Sequence, residues 1–173
     1  MRCGSLLALA QLASRRALAD VSSGEPAEKS LWLYNTHTGE SVKAVYWARG
    51  QYFSDALGEI DFLLRDFRSG DIKPIAPRLL DLAYELRRTL ATNEPIHVIS
   101  GYRSPATNAM LAAQSGDVAT RSLHLRGEAL DLRLPGRDLK AVHRAALSMR
   151  AGGVGYYPRS DFVHVDIGRV RNW

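Results

Sequence analysis

The chain has 173 residues, 46% of them apolar and 24% charged, which suits one ordinary domain with a sizeable core and a short tail. Its net charge of +5 favours an anionic partner, but the basic residues are scattered rather than massed among aromatics, which argues against nucleic acid. Cys3 is the single cysteine, so an intramolecular disulfide, a cysteine-rich zinc module and a CxxC redox site are all excluded.

Residues 1–30 differ from the rest. Arg2 precedes the apolar run Leu6–Ala13, and Ala17-Leu18-Ala19 before Asp20 has the small-residue form of a cleavage site. Together they predict a secretory signal and an exported protein. Arg15 and Arg16 depart from that pattern, and an unstructured or mitochondrial-type leader is the alternative. The run is far shorter than the ~20 residues that span a bilayer, so stable membrane insertion is not expected. Ser22–Ser30 then reads as a polar linker to a domain over residues 31–173.

Within that domain, Leu31–Tyr34 and Val42–Trp47 flank Asn35–Glu40 and predict a β-hairpin. Ser54 is placed to cap a helix with Leu57, Ile60, Leu63, Leu64 and Phe67 on one face, stopped by Gly70. A second amphipathic helix spans Pro77–Ala91, carrying Leu79, Leu80, Ala83, Leu86 and Leu90. Pro95–Ser100 reads as a short strand and Gly101–Ser104 as a turn. Ser104 and Pro105 open a third helix as N-cap and first residue, running to Gly116. Ala129–Leu134 alternates, so Ala129, Asp131 and Arg133 share one strand face. Asp138 caps a helix bearing Leu139, Val142, Ala146 and Met149, ended by Gly152-Gly153. Gly155–Tyr157, the turn Pro158–Asp161 and Phe162–Ile167 make a second hairpin. Its last strand turns Phe162, His164 and Asp166 one way and Val163, Val165 and Ile167 the other. The order predicts an α+β domain, a central antiparallel sheet with helices packed on it.

The chemistry concentrates in the last third. His124, Asp131 and His164 supply two imidazoles and a carboxylate close to strand-like runs, the donor set of a catalytic zinc site with one open position. His124 and Asp131 are seven residues apart with Gly127 between them. That spacing fits a loop that delivers a histidine, turns at the glycine and enters a strand whose inward face offers the carboxylate. A lone histidine on a strand is more often a half-buried packing residue, but all three donors lie on segments whose opposite faces are apolar. His37, His97 and His143 have no partner pattern. They read as solvated, half-buried and on an exposed helix face respectively, and Tyr156 and Tyr157 read as strand packing, with one of them lining the cleft as the alternative.

The segment Ser122-x-His124-x-x-Gly127-x-Ala129-x-Asp131 resembles the SxHxxGxAxD signature of the D-Ala-D-Ala carboxypeptidase-type zinc peptidases, a superfamily that includes the hedgehog fold. Ser100–Pro105 resembles the arginine turn ahead of that signature. Gly152–Pro158 with Phe162–Asp166 is similar to the murein endopeptidase K branch. The resemblance spans Leu31–Trp173. It implies one Zn²⁺ held by His124, Asp131 and His164, with peptidoglycan stem peptides as substrate in the bacterial periplasm or envelope. It also implies that Arg103 binds a substrate carboxylate or stabilises an oxyanion, for which a forked, permanently charged guanidinium is suited. Many relatives carry a glutamate three residues before the last ligand as general base, and here Asp161 holds that place. Asp161 is the first choice for the base. Asp166, on the face of His164, is the rival, or else it orients a ligand imidazole. The branch implies endopeptidase action on a 3-3 link between diaminopimelate residues. A D,D-carboxypeptidase or dipeptidase, and a non-catalytic zinc-containing wall-binding module, are the alternatives.

Overall fold

The computed structural model describes residues 26–115 and 119–173. The signal-like run, Cys3 and the helix end expected at Gly116 lie outside the described residues.

The first hairpin forms as its sequence dictates. Strand β1 (Glu28–Asn35) pairs antiparallel with β2 (Ser41–Ala48). The Asn35 side-chain oxygen accepts the His37 and Thr38 N–H groups, closing the turn, while Gly39 takes a φ of 75°. β1 begins within the expected linker, where Lys29 reaches Asp81 at 3.1 Å. A two-residue strand, β3 (Gln51–Tyr52), extends the sheet beyond β2.

Helix α1 (Ser54–Leu63) starts one residue earlier than expected, with Phe53 rather than Ser54 at the cap position and no side-chain cap bond. It also stops well before Gly70. The chain is diverted at Leu64, whose carbonyl accepts the Tyr102 N–H at 2.7 Å, and at Asp66, which accepts the Ser104 N–H at 2.8 Å. Helix α2 (Pro77–Thr89) has proline in its first turn and buries Leu79, Leu80, Leu82, Ala83 and Leu86. Strand β4 (Ile96–Ser100) leads through the turn into α3 (Pro105–Ser115), whose Thr107 N–H is capped by the Ser104 hydroxyl at 3.2 Å. A 3₁₀ turn (Leu123–Arg126) precedes β5 (Ala129–Arg133). Helix α4 (Leu139–Met149) is capped by Asp138, as expected, but Arg150 in the left-handed region ends it rather than the glycine pair. Strands β6 (Gly153–Tyr157), β7 (Phe162–Asp166) and β8 (Arg171–Asn172) complete the chain.

All eight strands form one sheet in the order β3-β2-β1-β4-β5-β7-β6-β8. The α+β class stands, but the sheet is mixed: β1 with β4 and β6 with β8 are parallel. The chain leaves the hairpin, makes α1 and α2, and re-enters beside β1 in the same direction, a crossover that forces parallel pairing. One sheet face carries Leu31, Leu33, Ile96, Val98, Leu130, Leu132, Val163 and Val165, which join α2 and α4 side chains in the core. Strand alternation sends Asp131, His164 and Asp166 to the opposite face.

Candidate metal centre

The β5/β7 register sets Asp131 directly opposite His164. His124 is delivered from the 3₁₀ turn by a local device. The Ser122 hydroxyl accepts the His124 N–H at 3.3 Å, and Gly127 closes the turn at a φ of 69°. A Cβ on Gly127 would run into the Pro74 carbonyl, so glycine is required both by conformation and by space. The serine and the glycine of the signature thus aim the histidine.

The three side chains converge. His164 Nδ1 lies 2.8 Å from Asp131 Oδ1, and His124 Nε2 lies 3.2 Å from that oxygen and 3.2 Å from His164 Nδ1. All three residues are buried, and one donor atom of each falls within 4.8 Å of the others, so the group can hold a metal ion. The outer nitrogens fix the ring states. His124 Nδ1 is 2.7 Å from the Gly101 carbonyl, which only accepts, so that nitrogen carries the hydrogen and Nε2 keeps its lone pair. His164 Nε2 is 3.2 Å from Asp166 Oδ2, leaving Nδ1 free to coordinate. Two imidazole lone pairs and a carboxylate crowded on one point call for positive charge among them, which fits a cation. The same crowding shapes the ionisation. Burial alone would lower His164, but hydrogen bonds and charge from Asp131 and Asp166 push it up to about 9. Burial alone would raise Asp131, but the His124 and His164 contacts outweigh it and hold the carboxyl well below the usual range.

Arg103 stands at the Asp131 edge. Its Nη2 is 3.5 Å from Asp131 Oδ2 and 3.3 Å from the Ser100 hydroxyl, while its backbone N–H donates to the His124 carbonyl. Its buried Nε–H has no partner among the described residues. The two candidate bases part company. Asp161, at a φ of 53° in the turn, is 63% exposed and bonds Arg133 at 2.9 Å. Asp166 is fully buried behind His164. It accepts from the Gly153 and Gly168 N–H groups and from both Arg171 terminal nitrogens. That carboxylate is saturated and on the far side of the ring from the coordinating nitrogen. Its geometry is that of a group that orients His164.

The other histidines hold no such position. His37 is exposed, stacked 3.9 Å from Phe67, and His97 is half-buried. His143 is half-buried rather than exposed, because its ring stacks on Tyr156 at 4.8 Å. The sequence reading missed Asp66, Gly101 and Arg171. The signal for Gly101 was available only in space: a Cβ there would sit 2.5 Å from the Leu64 carbonyl oxygen.

Residues 23–173 match the family model described as peptidoglycan L,D-endopeptidase MepK. The chain is 45% identical over 172 residues to the peptidoglycan L,D-endopeptidase MepK of Escherichia coli (strain K12), covering 97% of this chain and 94% of that protein. The protein of that name from Shigella flexneri has the same identity and coverage. The probable peptidoglycan L,D-endopeptidase MepK of Haemophilus influenzae is 41% identical over 157 residues, 90% of this chain and 83% of that one.

Proposed function

The chain belongs to the peptidoglycan L,D-endopeptidase MepK family, and from that premise we propose a zinc peptidase that hydrolyses L,D peptide cross-links of the bacterial envelope polymer. Zinc suits two imidazoles and a carboxylate better than calcium or magnesium, which prefer all-oxygen shells. His124 Nε2, Asp131 and His164 Nδ1 are the ligands. When bound, the ion supplies a Lewis acid that polarises a peptide carbonyl and acidifies water. The protein does the rest. Asp166 and the Gly101 carbonyl hold the two rings in their coordinating states. Arg103, whose Nη2 stands 3.5 Å from Asp131 Oδ2, turns its charge toward the substrate carbonyl. Asp161, exposed and three residues before His164, takes the proton from water and passes it to the leaving amine. The secretory-type leader that ends at Ala19 exports the enzyme to the envelope.

The observation that carries this reading is the pairing of Asp131 opposite His164 with His124 Nε2 at 3.2 Å from both donor atoms. The test is a digest of purified cross-linked muropeptides with and without chelator. Dimers with 3-3 links should become monomers, the activity should vanish on chelation and return with Zn²⁺, and His164→Ala should lose both metal and activity. Full zinc occupancy in His164→Ala would remove the assigned ligand set. Release of free D-alanine from intact dimers would make the enzyme a carboxypeptidase instead.

A further inference from the structure

Tyr157, which its sequence marks as strand packing or cleft lining, lies beside a ligand histidine. On the β6/β7 ladder Gly155 sits opposite His164. A Cβ on Gly155 would meet Trp173 Cε2 at 2.7 Å, Trp173 Nε1 at 2.8 Å and Tyr157 Cε2 at 2.8 Å. Both rings therefore lie over the backbone beside the ligand histidine, and the Trp173 ring is 5.2 Å from that of His164. Neither ring is loose. Tyr157 stacks on Phe162 at 4.5 Å, and the Trp173 backbone is bonded to Val154 and Tyr156.

Trp173 Nε1 is 2.7 Å from the Tyr157 hydroxyl. An indole N–H only donates, so the phenol oxygen accepts and keeps its own proton for another acceptor. Among the described residues nothing takes that proton. The strand order places Tyr157 beyond His164 and Arg103 beyond Asp131, so the two donors flank the ligand trio from opposite edges.

We infer that the Tyr157 hydroxyl, aimed by the Trp173 indole, donates a hydrogen bond to the scissile carbonyl oxygen as negative charge develops on it, opposite Arg103. This deepens the peptidase reading and rests on it. Donors fixed in advance where charge appears act in the transition state more than on the bound substrate. Trp173 acts through the phenol and is a positioning residue.

Tyr157→Phe keeps the ring, the Phe162 stack and the fill over Gly155, so folding and bound zinc should match the parent. Its kcat should fall about 10²-fold with KM little changed. The Kd of a phosphinate peptide that mimics the tetrahedral state should weaken by a similar factor. Trp173→Phe should lose less, and the double variant should match Tyr157→Phe alone, because the indole has no separate role. A kcat within about three-fold of the parent, a loss confined to KM, or fully additive effects would overturn the assignment. If the parent protein itself left cross-linked dimers intact, the peptidase reading would fail first. The phosphinate comparison is independent of turnover and keeps the two failures apart.

Discussion

At the scale of single residues, the most constrained group is Asp166. It accepts from two backbone N–H groups, from Arg171 twice and from His164 Nε2, all without exposure to water. Changing it to asparagine turns one acceptor oxygen into an NH₂ that must face a guanidinium or an imidazole N–H. Asp166→Asn should therefore weaken metal binding about 10–100-fold, measured by competition with a chromogenic chelator, and lower stability as well. Unchanged affinity would mean that His164 is aimed by packing alone. How much of this was legible depends on distance along the chain. The alternation Phe162, His164, Asp166 put the aspartate on the right face. Arg171 and the Gly153 N–H, which saturate it, come from β8 and β6, and no local pattern announces them. Asp161 illustrates the reverse case: the pattern singles it out three residues before His164, while its bond to Arg133 and its exposure are visible only in the fold.

At the scale of elements, the 3₁₀ turn is where conformation and chemistry meet. Its geometry depends on Gly127, whose left-handed φ of 69° and contact with the Pro74 carbonyl leave no room for a side chain. The Gly127 carbonyl in turn accepts the Ala76 N–H at 3.0 Å, tying the turn to the start of α2. Gly127→Ala should destabilise by more than about 1 kcal/mol, read by urea unfolding, and should reduce metal occupancy by displacing His124. Ser122→Ala removes only the hydroxyl cap and should cost about 1 kcal/mol with the metal retained. If Gly127→Ala bound metal normally at full stability, the glycine would be incidental to the signature. Strands β5 and β7, both hairpins and the cap of α4 were legible because each rests on alternation or on a capping residue near in sequence. The parallel pairing of β1 with β4 was not. It joins strands more than sixty residues apart, as Thr36 to Val98 shows with a separation of 62, and hydrophobic alternation is the same for either direction of pairing.

At the scale of the whole molecule, the sheet has two duties, a core face under α2 and α4 and a polar face that holds the site. The polar face is completed by pieces remote in sequence, and Asp66 is the residue that clamps them. Buried in the loop after α1, it accepts the Ser104 N–H at 2.8 Å across 38 residues and the Arg68 N–H at 2.9 Å. The Arg103 turn and the Gly101 carbonyl that supports His124 are thereby fixed to the body of the domain. Burial alone would raise its carboxyl, but hydrogen bonds from Thr107, Ser104 and Arg68 outweigh that and hold it at about 2, below its ordinary 3.8. The folded state thus favours the carboxylate more than the unfolded chain does. Its contribution is fully present above the unfolded value of 3.8 and is lost as pH falls through about 2. Unfolding free energy measured from about pH 5 down to pH 2 should therefore decline, and the decline should be shallower in Asp66→Asn, which cannot take up that proton. At neutral pH the same variant should be less stable than the parent, because an amide cannot serve both backbone donors through its oxygen as the carboxylate does through two. Its kcat should also fall and its zinc should bind less tightly, since the clamp holds both the Arg103 turn and the Gly101 carbonyl that orients His124. Parallel stability curves for the two proteins down to pH 2 would show that the clamp is satisfied equally well by a neutral acid.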